Sequence, residues 1–265
     1  MAHSVTLEDI MTGYLANYND EMKTEASTII DGNFPIMWFG DLNAYEKSDH
    51  KVVTVGISPS DHEFDPQPDN SDAYLRFKYT SPSTDNDYQE YKENFNTYFG
   101  LNPYGHFFTD YEHDIVQPIL GSQYGYGFKS ESQPKNQLIH LDCRTALATH
   151  PNWSALKSPE QIQLKNQFIK PGNQLFVQFL ELLQPDITFV SSGRDDFFGN
   201  VLPALKAQPE PTDQKAQIFW VTYPNSTNQK AILWKENGQW PSANAERLIT
   251  TVKSDSQHAD FFNQF

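Results

Sequence analysis

Cysteine is almost absent from this chain: Cys143 is the one example in 265 residues. An internal disulfide is therefore excluded, as is an iron–sulfur centre or cysteine-rich zinc site built by this chain alone. Long hydrophobic runs are missing too. No stretch approaches the roughly 20 apolar residues that cross a bilayer, and residues 1–10 contain no apolar run, so neither a membrane span nor a signal peptide is expected. Basic residues are scarce: 19 Lys and Arg stand against 34 Asp and Glu, which leaves a net charge of −15. Such a field repels polyanions at long range and disfavours broad duplex binding. Arg76, Lys78, Lys129, Lys135, Arg144 and Arg194 remain as material for a local basic patch. Phosphate loops, dinucleotide fingerprints, repeats and low-complexity tracts are all lacking. The expectation is a soluble, cytoplasmic protein with no cofactor, no membrane partner and no metal cluster.

What is present is a large apolar and aromatic content, with 19 Phe, 13 Tyr and 5 Trp. That excludes a disordered chain and supplies a sizeable core. Four short apolar runs stand out: 52–57, 138–141, 187–190 and 218–221. Each closes on small or polar residues, and segments of helical spacing lie between them. Helices are expected at about 7–25, 87–98, 111–120, 159–168, 174–183, 195–206 and 243–252. The run 35–40 reads as a strand or buried turn, and proline-rich 65–84 as loop. Alternating strands and helices predict an α/β fold: a three-layer sandwich around a central, mainly parallel four-stranded sheet. The whole chain, 1–265, reads as one domain with a helical N-terminal extension.

Ligands of such sheets bind beyond the carboxyl ends of the strands. The first strand ends in Gly56-Ile57-Ser58-Pro59-Ser60, followed by Asp61-His62-Glu63. Pro59 fixes φ, and Ser60 and Asp61 are good helix N-caps. The second strand ends at Asp142, within His140-Leu141-Asp142-Cys143-Arg144; the third at Ser191-Ser192-Gly193-Arg194; the fourth at Tyr223-Pro224-Asn225-Ser226. Ser58, Asp142, Ser192 and Tyr223 are expected to gather at one edge. His140 and Asp142 share a strand face, but no third ligand is evident, so no metal site is expected.

These stations, in this order, resemble the uracil-DNA glycosylase superfamily. There the first strand leads into a turn carrying the catalytic acid, the second ends in an Asn that reads an extruded base, and the last ends in a His-Pro-Ser or Asn-Pro-Ser turn. The chain also resembles a divergent branch of that superfamily with Gly-x-x-Pro-Ser-x-x-Glu-Phe followed by Tyr-Phe-x-x-Asn-Pro-Tyr. Here those are residues 56–64 and 98–104. The likeness covers about residues 38–227. It implies hydrolysis of an N-glycosidic bond of an extruded base, with single-stranded or damaged DNA, or a free nucleobase or nucleotide, as partner.

Departures from the superfamily pattern shape the expected roles. Ser58 stands where the superfamily has Asp, Asn or Glu; it can hold a water but is no general base near pH 7. Asp61 or Glu63 supplies the acid instead, or else both merely charge the first turn of a helix. Tyr223 replaces the histidine, with Asn225 as a further donor. Asp142 replaces the reading Asn; as a carboxylate it accepts hydrogen bonds and prefers a base edge that presents donors. Otherwise it pairs with Arg144 and holds a loop. Gly56 and Ile57 line the base pocket, and Phe107 or Phe108 stacks the base or packs beneath a loop. Ser60, Arg144, Ser192, Arg194 and Ser226 are candidates for phosphate contact. The rival reading is a catalytically inactive binding module on the same fold.

Overall fold

The computed structural model describes residues 5–22, 30, 33–64, 76–82, 88–104, 106–129, 131–150, 153, 155–209, 215–224, 226–236, 243–256 and 259–265. Its strands are β1 (Val52–Gly56), β2 (Tyr124–Gly125), β3 (Asn136–Asp142), β4 (Ile187–Ser192), β5 (Gln208–Pro209), β6 (Ala216–Val221) and β7 (Lys230–Glu236). The helices are α1 (Leu7–Met22), α2 (Leu42–Lys47), α3 (Tyr88–Thr97), α4 (Phe107–Tyr111), α5 (Gln117–Leu120), α6 (Pro159–Leu183), α7 (Arg194–Asp196), α8 (Leu202–Leu205), α9 (Ala243–Ser254) and α10 (Ala259–Phe262). None of them is long and apolar enough to cross a membrane.

The fold is α/β, with a mixed, mostly parallel sheet flanked by helices. Among the described residues it has seven strands, in the order β2-β3-β1-β4-β7-β6-β5. Every residue of β1, β3 and β4 is buried, the pattern of strands covered on both faces. Strands β1, β4 and β7 run parallel, with Val52 opposite Ile187 and Ile187 opposite Ala231.

Two expectations about the sheet are corrected. It is wider than four strands, because β2, β5 and β7 join it. The run 218–221 lies in β6, which is antiparallel to β7, not parallel to the rest. The physical reason is the connection. Residues 222–229 between β6 and β7 are too few for the dozen or more that a parallel crossover needs, so the two strands form a hairpin.

The chain divides into two compact units. One comprises residues 1–39, 56–104 and 141–183. In it α1 lies against α6, close enough that a Cβ on Gly13 would sit 2.4 Å from Leu175. Tyr18, Leu147, Trp153, Leu156, Leu164 and Phe168 form an apolar cluster there. The two helices expected at 159–168 and 174–183 are one, α6, which runs through Pro171. The 35–40 run forms no extended strand.

The other unit comprises residues 40–55, 105–140 and 184–265 and carries the body of the sheet. Helix α9 packs on β6 and β7. Phe198 meets Phe219 and Trp234 edge-on. Helices α4 and α5 are continuous through a π-helical turn at Glu112–Val116, and a second such turn, Phe197–Val201, links α7 to α8.

Candidate functional site

Beyond Gly56 the first-strand turn keeps Ile57 and Ser58 half-buried and Pro59 buried. The turn after β3 lies beside it. The Cys143 N–H donates to the Gly56 carbonyl at 3.1 Å, and the Arg144 N–H to the Ile57 carbonyl at 3.0 Å. From α6, the Asn173 side-chain amide donates to the Cys143 carbonyl. Backbone pairing thus brings the turn bearing Ser58 to the turn that follows Asp142. Asp142 is buried. Tyr14 of α1 is buried too, and burial, then the charges of Asp142 and Cys143, push its phenol well above its ordinary range.

Glu63 belongs to the same unit and is buried in it. Ser60 opens a 3₁₀ turn, Asp61–Phe64, by accepting the His62 N–H on its hydroxyl at 3.2 Å. That turn directs Glu63 inward, where it is buried. The Tyr98 hydroxyl lies 2.9 Å from both carboxylate oxygens and itself accepts the Tyr104 N–H at 2.8 Å. Burial pushes the Glu63 carboxyl up to about 8, against the Tyr98 hydrogen bond and the Arg76 charge that lower it, while Asp142 adds to the rise. Near pH 7 it is chiefly a protonated acid. The alternative left open by the sequence, that Glu63 only charges a helix end, does not fit a buried side chain.

Arg76 and Tyr104 complete the surround. The Arg76 Nε donates to the His62 carbonyl at 2.9 Å and Nη1 to the Asn102 carbonyl at 3.1 Å. Its guanidinium lies over the Tyr104 ring, which also stacks with His62 at 5.1 Å and 17°. The two stretches that carry the closer resemblance, 56–64 and 98–104, therefore meet through Glu63 and Tyr98. The function of Tyr98 was not legible: it falls on the apolar face of a helix pattern. The pairing of a Glu in one motif with a Tyr in the other is the signal that marks it. Tyr98→Phe should raise the Glu63 pKa further and destabilise the protein by about 1–3 kcal/mol, because the buried Glu63 carboxyl and the partly buried Tyr104 N–H lose their partner. Urea unfolding of the variant, with a carboxyl-selective NMR titration, reads both effects.

Asp61 has a different role from Glu63. It is partly exposed and accepts from His150 Nδ1 at 2.8 Å and from the Ser60 hydroxyl at 3.3 Å. Burial raises its carboxyl, but the His150 hydrogen bond, the His62 and His150 charges and Ser60 outweigh it and hold the group below the usual range. His150, which the sequence assigns to a turn, is thus a neighbour of the site.

The remaining predicted residues belong to the sheet-bearing unit, and they separate. Ser192 ends β4, and its hydroxyl accepts from the Trp234 indole at 3.2 Å. Arg194 lies over the Phe198 and Trp234 rings. Gly193 is the N-cap residue of α7. Phe108 is buried and Phe107 half-buried, and both meet the buried His140 ring edge-on. His140 Nδ1 is 2.8 Å from the Thr54 hydroxyl, so its ring is a core group hydrogen-bonded within the sheet.

Tyr223 contradicts the expected gathering at one edge. Because β6 runs against its neighbours, its last residue pairs with Lys230, the first of β7. Tyr223 is therefore at the edge where β4 and β7 begin, opposite Ser192. The Gln184 side chain, just before β4, donates to the Pro224 carbonyl at 2.7 Å. Ser226 closes the same turn onto the Tyr223 carbonyl at 3.0 Å. Asn225 lies outside the described residues.

Comparison with protein-family models finds no match to this chain, and comparison with curated proteins and with solved structures finds none either.

Proposed function

We propose that this chain binds a nucleobase and hydrolyses its N-glycosidic bond, with Glu63 as the proton carrier. The observation that carries this reading is the buried Glu63, pushed up to about 8, beside Asp142 and in the turn that follows β1. A carboxylic acid that stays protonated near neutral pH is suited to general-acid work. In the proposed reaction the bond from the sugar C1′ to the base nitrogen breaks, and the Glu63 proton passes to that nitrogen. Water adds hydroxide to C1′, and its proton returns to Glu63. Ser58 positions the water and Asp142 accepts from a donor-bearing edge of the base.

The resemblance to the uracil-DNA glycosylase superfamily supports the reading in a revised form. At the sheet's centre the order β3-β1-β4-β7 supplies four neighbouring strands. The last strand to share the direction of β1 and β4 is β7, not β6. In sequence β7 is followed by Trp240-Pro241-Ser242, a Pro-Ser pair like that of the superfamily's last turn. Those three residues lie outside the described part of the chain. Tyr223, Asn225 and Ser226 accordingly have no part in the proposed chemistry.

The test is base release from single-stranded oligonucleotides carrying uracil, hypoxanthine or a modified cytosine, with wild type beside Glu63→Gln and Asp142→Asn. Release of a donor-bearing base, lost in Glu63→Gln, is expected. Uracil release should be weak or nil, with uracil binding gained in Asp142→Asn, because a carboxylate facing a carbonyl oxygen costs about 1–3 kcal/mol. Base release indifferent to Glu63→Gln would sink the reading. A second reading, binding without turnover, is favoured by the Tyr98 hydroxyl that engages both Glu63 oxygens. In the same panel it appears as base binding with no release.

A further inference from the structure

The sheet-bearing unit contains a polar cleft of about 390 Å³ lined by Glu112, Gln117, Tyr124, Glu131 and Lys135 among others. Glu112 and Glu131 stand at its wall, and the His113 imidazole lies next to both. His113 Nε2 is 3.5 Å from a Glu112 oxygen and 3.6 Å from a Glu131 oxygen, and the three donor atoms all lie within 4.8 Å of one another. We propose that Glu112, His113 and Glu131 form a binding site for a divalent cation of the zinc type, whose remaining position opens to the cleft.

Geometry supports this first. A tetrahedral zinc with bonds of about 2.0–2.1 Å holds its donors about 3.4 Å apart, close to the two separations observed. A histidine nitrogen with two carboxylates is a zinc ligand set, whereas calcium and magnesium take oxygen ligands.

Burial supports it independently. Glu112 is 1% exposed, and the Tyr126 N–H on Oε2 at 2.7 Å and the Gln117 amide on Oε1 at 3.0 Å hold its carboxylate in place. The cation that lines the cleft, Lys135, is ion-paired with Asp49 at 2.7 Å. A buried carboxylate is stabilised by a nearby positive charge, whether from a protonated His113 or from a bound cation. The backbone is also adapted here. Glu112 and His113 open the π-helical turn, a feature that often marks function, and its Gln117 N–H reaches back to the Glu112 carbonyl. At Gly125 the absence of a side chain leaves room, since a Cβ there would lie 3.0 Å from Glu112 Oε1.

The experiment titrates the chelator-treated full chain with zinc chloride by calorimetry, with magnesium and calcium chloride as comparisons, and follows the melting temperature. Wild type should take up one tight equivalent of zinc and gain melting temperature, and neither comparison salt should do the same. His113→Ala and Glu131→Gln alter partly exposed side chains. Each should leave the zinc-free melting temperature unchanged and weaken zinc binding by about tenfold or more. His150→Ala, which removes a different histidine–carboxylate pair, should bind zinc as wild type does. No uptake by wild type, uptake equally tight in both His113→Ala and Glu131→Gln, or calcium bound as tightly as zinc would each overturn the site.

Discussion

Glu63→Gln should stabilise the protein above about pH 8 and, under the proposed function, abolish base release. The unfolded glutamate titrates near 4.5 and the folded one at about 8. A carboxyl whose folded pKa is raised favours folding while it is protonated. The folded state holds the proton more tightly between those two values, so stability is greatest below about pH 4.5 and declines as pH rises. Above about pH 8 the burial of the charge is complete and costs on the order of 4–5 kcal/mol. Glutamine has the same shape and no proton to lose, so the variant should lack this decline. In a chain of this size each kcal/mol moves the melting temperature by about 2–4 °C, and at pH 9 the variant should melt well above wild type. The base release proposed for wild type should fall as pH rises through about 8, where the acid form disappears. Melting curves from pH 5 to 9 with identical slopes for both proteins would show that Glu63 does not titrate as argued.

Gly172→Ala should be severely destabilising, although alanine is the better helix former. Gly172 sits inside α6, where the intrinsic gain for alanine is about 1 kcal/mol. Against that, an added Cβ would lie 2.1 Å from the Arg144 carbonyl oxygen and 3.1 Å from the Thr145 Cα. Both neighbours are backbone, so neither can swing away. Overpacking of this kind costs about 1–3 kcal/mol where side chains can yield, and a larger loss is expected where they cannot. The same displacement would carry Arg144 and Cys143 away from Ile57 and Gly56. Gly199→Ala is the control, because a Cβ there meets no atom within 4 Å. Chemical unfolding of both variants decides the matter: equal midpoints would mean that α6 does not rest on the turn after β3.

Legibility in the sequence followed how local each cause was. Strands β1, β3 and β4 are apolar runs, and their burial on both faces is what such runs mean. Strand β7 is equally apolar at Ala231-Ile232-Leu233-Trp234, but Lys235 follows and disguises it. In the structure Lys235 is fully buried, with its amine 2.8 Å from the Ser191 hydroxyl and its pKa pushed down to about 8 by burial. Strand direction is not written in a run at all; it depends on the connection, and missing β7 concealed the hairpin that reverses β6. Pro171-Gly172 reads as a helix break, yet the glycine serves close approach to another segment. At the site, the Ser58 and Asp142 turns were legible as strand ends. The burial of Glu63 was not, since Asp61 and His62 beside it are ordinary surface residues.

The position of β7 also bears on synthesis. Among the described residues it is the last strand in chain order, yet it lies between β4 and β6. Until residues 230–236 have left the ribosome, one side of β4 has no hydrogen-bonding partner. That side belongs to Ile187-Thr188-Phe189-Val190, an apolar, β-branched segment of the kind that templates pairing with another chain. A nascent or truncated chain ending before Lys230 thus exposes an aggregation-prone seam that the finished protein hides. The closing strand arrives late, and with it the chain's protection against its own copies.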